Sequence, residues 1–540
     1  MSDPSTPEHD EVLSFGDPTP VSQDAGSAPR AGRGRRLWPV AVGGVAALAV
    51  GGAGVALGLM VGGGGVQPED VMPAGAVMYA DIDFDPGADQ KLNMMRMLND
   101  LPDFGDELGG RDDVRAWLLN ELFTSSDFDP DELDQWVGDR AGLGVVWDGP
   151  GSGPTFVVAV QVTDQGAAEQ MLLEEVDDDE LAFDQGYAIV ALSLSDEDMG
   201  FGVDQGQTAA QVVSSAQSSA LSDDADFVAA MDKLGSGLAS GYMDGAGLTE
   251  MVEDQFGAMM MGMYQSQMMG QELDGVTAVV LKAEPDAFAL DGYSTQSGPT
   301  SLATPTQLVQ DLPDSTMFAM AFTGGGEGVA ESWQNFLNQM EQMSELTAQQ
   351  FASTDQIAVT DTTLASDSFV EREIQKIENK YNVQLPEDIV TLLGEDAVIA
   401  VDGEDLVTSP GIGYRSITDP AAAADLAARL QTLLDKVTGG FGASVTATDD
   451  GLVIASTPEY ADMLVEGPGG LLADPRAQEA LVDVESASYV VWVDIDAASS
   501  ISRLASDEAA DRMDPMSALG LTVVPDDEGW SLHARLTFDE

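Results

Sequence analysis

A chain of 540 residues with 94 Asp and Glu against 21 Lys and Arg carries a formal net charge of −73, and such a surface repels nucleic acid, phosphorylated substrates and anionic lipid headgroups. Its 44% hydrophobic content leaves material for two or more cores, so it is not a disordered protein overall. With no Cys and only two His, it cannot form disulfides, thiolate metal sites, Cys-His nucleophiles or His-rich zinc sites.

Residues 1–36, rich in Pro, Ser, Asp and Gly, read as a disordered cytoplasmic tail. Leu37–Val61 follows as an uncharged apolar run, and as a helix its rise of about 37 Å crosses a hydrocarbon core of about 30 Å with some tilt. Arg30, Arg33, Arg35 and Arg36 stand before it and the next basic residue is Lys91, so the positive-inside rule predicts a single-pass protein of the cell membrane, N-terminus cytoplasmic and the bulk outside. A cleaved signal peptide is the rival reading, but its charged region does not sit behind a 29-residue polar leader and its apolar core is shorter. Gly54, Gly58 and Gly62 make overlapping small-xxx-small steps, a candidate homodimer contact within the bilayer.

A linker, 62–70, leads to a first ectodomain repeat, 71–300. It opens with MPAGAVMYADID, a proline-marked turn running into a strand. Asp81, Asp83, Asp85 and Asp89 then give D-x-D-x-D-P-G-A-D, similar to a calcium loop of alternating oxygen ligands. Against this, the twelfth position is Leu92 rather than an acid, and the Gly falls one place late. The competing reading puts Asp81 and Asp83 on the outer face of a strand and makes Asp85 the cap of the next helix. PDELDQWVGDRAGLGVV from Pro130 reads as a short helix opened by Pro, with acids in its first turn, closed by Gly and delivered into a strand. Asp131 and Glu132 are those acids, which removes the metal-like look they share with Asp129. Further on, methionines at 251, 259, 260, 261, 263, 268 and 269 read as pliable core filler, with an apolar lid or a thioether copper(I) site as alternatives.

The second repeat, 301–540, replays this plan. LPDSTMFAMAF from Leu312 answers the first opening, and PEDIVTLLGEDAVIAV from Pro386 answers the helix and strand. Pro130, Leu133, Gly138, Ala141 and Val145 align with Pro386, Ile389, Gly394, Ala397 and Val401 at one constant separation. Each copy continues with a strand, a Thr-Asp helix start and an amphipathic helix, and ends in a hairpin that turns through PD or DDEG. The predicted fold class is therefore α+β: two tandem related repeats, each a mainly antiparallel sheet with flanking helices, behind an N-terminal transmembrane helix.

MPAGAVMYADIDFDPGADQKL, WVGDRAGLGVV and VVAVQVTDQGAAEQML together resemble domain-of-unknown-function family 3352, exported single-pass membrane proteins of actinobacteria. The resemblance spans nearly all of residues 37–540. It implies location and architecture; the family has no established activity and no catalytic residues to transfer.

No nucleophile, cofactor or phosphate signature stands out. TGGGEG from Thr323 lacks phosphate-loop spacing and a nearby cation, so it reads as a strand-to-helix turn. His533 reads as an ordinary strand histidine. The leading expectation is a non-enzymatic binding or scaffold protein of the cell envelope, in contact with the lipid bilayer through Leu37–Val61, with an envelope protein or an apolar ligand as partner, no nucleic acid and no cofactor. The alternatives are a carboxylate-dependent cell-wall hydrolase, recognisable by acids converging in a cleft between the repeats, and a calcium- or salt-responsive envelope protein.

Overall fold

The computed structural model describes residues 65–539 except 101–132, 134, 194–205, 255–273, 297–304, 331–332, 334–336, 338–366, 404–410, 439–442, 504–509, 511–512 and 527. The predicted tail, the run Leu37–Val61 and Gly54, Gly58 and Gly62 lie outside the described residues, as do Asp129, Asp131, Glu132 and the methionines from 259 to 269. No helix among the described residues is long and apolar enough to cross a membrane. Met251 is described, and it fills a core pocket with Val77, Trp147 and Leu248.

The fold is α+β, with helices packed on a large antiparallel sheet. Its strands are β1 (Ala76–Asp83), β2 (Val137–Val146), β3 (Thr155–Val162), β4 (Leu181–Asp184), β5 (Tyr187–Ser193), β6 (Ala239–Asp244), β7 (Val276–Ala283) and β8 (Ala287–Ser294). They continue with β9 (Thr316–Thr323), β10 (Asp396–Asp402), β11 (Ile412–Ile417), β12 (Ser444–Ala447), β13 (Gly451–Ala455), β14 (Tyr489–Asp494), β15 (Met516–Asp526) and β16 (Gly529–Phe538). From one edge inward the order is β4-β5-β3-β2-β1-β6-β7-β8, and from the other it is β12-β13-β11-β10-β9-β14-β15-β16.

Here the structure departs from the sequence reading, which places a separate sheet in each half. β8 and β16 pair antiparallel from Ala287↔Thr537 to Ser294↔Trp530 and fuse the two into one 16-stranded sheet. The physical reason is that each half ends in a long hairpin strand whose outer N–H and C=O groups need partners, and the two edges satisfy one another.

Local signals in the two halves correspond. Pro73 bridges to Ala220, and Pro313 bridges to Gly470. The Asp224 carboxylate accepts from the amides of Asp226 and Phe227 and starts the helix Ala225–Leu234, while Asp474 starts Pro475–Ala480 by accepting from the Arg476 amide. At the strand ends, Asp244 accepts from the Gly247 amide at 3.1 Å and Asp494 from the Ala497 amide at 3.0 Å. Glu387–Leu393 is the helix read from PEDIVTLLGEDAVIAV, closed by Gly394 at φ 62°; Pro386 sits at its N-cap, one place before the expected first position.

One face of the sheet buries Val212, Phe227 and Ala230, from Ala209–Ser218 and Ala225–Leu234, against Tyr79, Tyr187, Tyr242 and Tyr293. In the second half Tyr460, Leu464 and Ala477, from Pro458–Glu466 and Pro475–Ala480, pack on Val398, Ala400, Val490 and Trp492. The opposite face is covered by Met94 and Met97 from Ala88–Asp100 and Leu172 from Gln165–Leu172, and by Ala423 and Leu426 from Pro420–Thr438.

Candidate functional site: the polar seam

Asp291 of β8 and His533 of β16 stand directly opposite one another at the middle of the joining ladder, so both side chains project from the same face. That face also carries Tyr293, two residues along β8. His533 Nδ1 lies 2.8 Å from Asp291 Oδ1, and Lys282 Nζ donates to Asp291 Oδ2 at 2.5 Å. Burial pushes the Asp291 carboxyl up, but the hydrogen bonds and charges of His533 and Lys282 outweigh it and hold the carboxyl below its usual range.

Five further contacts, made by Arg535, Lys233 and His533, surround the seam. Arg535 donates through Nη2 to Glu284, and through Nη1 to the Glu479 carbonyl at 2.7 Å. Lys233 Nζ lies 3.8 Å over the ring of Tyr293 and 3.0 Å from Glu528. On its other side, His533 Nε2 is 4.0 Å from Asp483 Oδ2. An acidic chain has thus placed cations where its halves meet, each against an acid or a ring. The exposed Lys233–Glu528 pair contributes about 0–1 kcal/mol; Asp291 and its partners, at 22–25% side-chain exposure, are better shielded. The two named contacts of His533 are thus both carboxylates, Asp291 on the neighbouring strand and Asp483.

The four acids of the calcium-like stretch do not converge. Asp81 accepts from the Ser240 hydroxyl, Asp83 pairs with Arg140 Nε at 3.0 Å, Asp85 pairs with Lys91 Nζ at 2.7 Å, and Asp89 is exposed. Among the described residues, no group of three or more His, Cys, Asp or Glu is arranged to hold a metal ion. Nor is Asp83 on an outer face, since its side chain is 1% exposed and that of Arg140 5%. Asp85 takes the Lys91 ammonium rather than serving as the expected cap. Asp81 is pushed up to about 7, by burial first and by the nearby charge of Glu69 second, against the opposing hydrogen bond from Ser240.

Sequence reasoning missed the arginine centres. Arg476 reaches Asp474, Asp494 and Asp496; Arg415 reaches Asp311, Asp450 and the Leu464 carbonyl; Arg429 makes a two-pronged pair with Asp388. The available signal was rarity, because a chain so poor in cations spends few of them at random. The amides of Gly324 and Gly326 in TGGGEG donate to the carbonyls of Glu395 and Gly394, as a strand-to-helix turn requires. No family model, curated protein or solved structure matches the chain.

Proposed function

We propose that this protein is a single-pass, membrane-anchored scaffold of the cell envelope, with residues 1–36 in the cytoplasm, Leu37–Val61 in the bilayer and everything after Gly62 outside. Its resemblance to family 3352 belongs to the same proposal. The ectodomain arose by duplication, as two tandem repeats, 71–300 and 301–540. Matching strand order, capping aspartates and proline bridges support that reading. In it Asp291 and His533, 242 residues apart in the chain, are equivalent positions that meet on the pseudo-twofold axis.

The observation that carries the scaffold reading is the seam itself. Among the described residues the halves join by a continuous strand ladder with charged pairs across it. A rigid platform suits presentation and binding. The test is in-cell crosslinking of the anchored protein followed by mass spectrometry. One reproducible, near-stoichiometric envelope protein supports the scaffold; recovery of this chain alone contradicts it.

A further inference from the structure

The segment entering the first half lies in a trough that its counterpart strand does not have. On β2, Gly142 and Gly144 point no side chain at the sheet face. A Cβ on Gly142 would meet Pro68 Cβ at 2.6 Å, and one on Gly144 would meet the Met72 sulfur at 2.8 Å. β10 has Val398 and Ala400 at the corresponding places. Pro68 and Met72 are buried, and Gln67 and Asp70 close a reciprocal cap around the short turn Pro68–Asp70.

Polar groups lock the strap at both ends of this turn. The Val66 carbonyl accepts from Arg140 Nη1 at 3.2 Å and from the Tyr187 hydroxyl at 2.8 Å, while the Tyr79 hydroxyl donates to Glu69 Oε2 at 3.0 Å. Arg140 is itself fixed by its buried pair with Asp83. In the second half Asp396 pairs in register with Thr323, and no guanidinium stands there.

We propose that residues 65–72 form a docked strap that fixes how far the ectodomain stands from the membrane, a device that rests on the anchored reading above. Five peptide steps separate Val61 from Val66, so with the strap docked the Arg140–Tyr187 clamp stays within about 17 Å of the end of the apolar run. About 5–8 Å of that is headgroup. If the strap leaves its trough, the first residue still held is Pro73, which bridges to Ala220, and the reach grows to about 41 Å. The docked strap therefore keeps the Tyr187 end of the sheet near the bilayer surface, and undocking more than doubles the standoff.

The cysteine-free 540-residue chain in vesicles permits the test. A donor dye on Asp178→Cys, an exposed site, reports energy transfer to headgroup acceptors, while hydrogen exchange reads the Val66–Val71 amides. The wild type is expected to show strong transfer and protected Asp70 and Val71 amides. Gly142→Val fills the trough with the residue β10 already tolerates, and Asp83→Asn with Arg140→Gln removes the clamp without stranding a buried charge. Both variants should lose protection and at least half of the transfer while the remaining sheet amides stay protected. Unchanged protection and transfer in Gly142→Val would overturn the proposal. Protected amides in a chain that does not float with vesicles would refute the anchor, and with it the standoff; unprotected wild-type amides in a floating chain would refute the docked strap alone.

Discussion

At the scale of single residues, burial decides what each side chain contributes. Trp492 is 1% exposed, and its Nε1 donates to the Thr316 carbonyl at 2.9 Å. Trp492→Ala should cost about 3–5 kcal/mol in a denaturant melt, whereas Ile412→Ala, at a site 49% exposed, should stay within about 0.5 kcal/mol. Asp81 sets a pH signature. Its folded pKa, about 7, lies above its ordinary 3.8, so the folded chain binds the proton more tightly. The stability it supplies is complete below the lower value and is lost as pH rises through the upper one. Relative to Asp81→Asn, the wild type should therefore lose Tm between about pH 4 and pH 7; parallel curves would refute the buried assignment. None of this was legible locally. D-x-D-x-D looks alike whether its acids face water or Arg140, and the partner of Asp83 lies 57 residues away.

At the scale of elements, the legible part is what short-range chemistry dictates. Asp164 and Asp419 before their helices, Gly394 after its own, and the turns at Pro285 and Asp526 to Gly529 are readable because caps and hairpins are set by adjacent residues. The pairing of β8 with β16 was not readable, because apolar alternation states which face a strand buries and not which edge it meets. That ladder makes a prediction. Ala534 pairs with Leu521 on one side and Leu290 on the other, so Ala534→Pro removes a ladder donor from a central strand. Calorimetry should resolve its single transition into two as the halves uncouple; one sharp transition with unchanged Tm would show that the ladder does not couple them.

At the scale of the whole molecule, a formal charge of −73 works against compactness. Shrinking the screening length from about 10 Å at 0.1 M salt to about 3 Å at 1 M relieves that repulsion, and it weakens the exposed seam pair Lys233–Glu528 far less than it helps the rest. Tm should rise with sodium chloride over this range, and a fall would mean that ion pairs outweigh repulsion. Everything else about the molecule's role depends on where this acidic platform sits. Because the natural chain has no Cys, single cysteines placed at Ser5 and Asp178 report their own compartments when intact cells meet a membrane-impermeant maleimide. An anchored scaffold with its platform outside predicts labelling at Asp178→Cys and none at Ser5→Cys until the cells are lysed. Labelling at Ser5→Cys in intact cells, or none at Asp178→Cys, would contradict it.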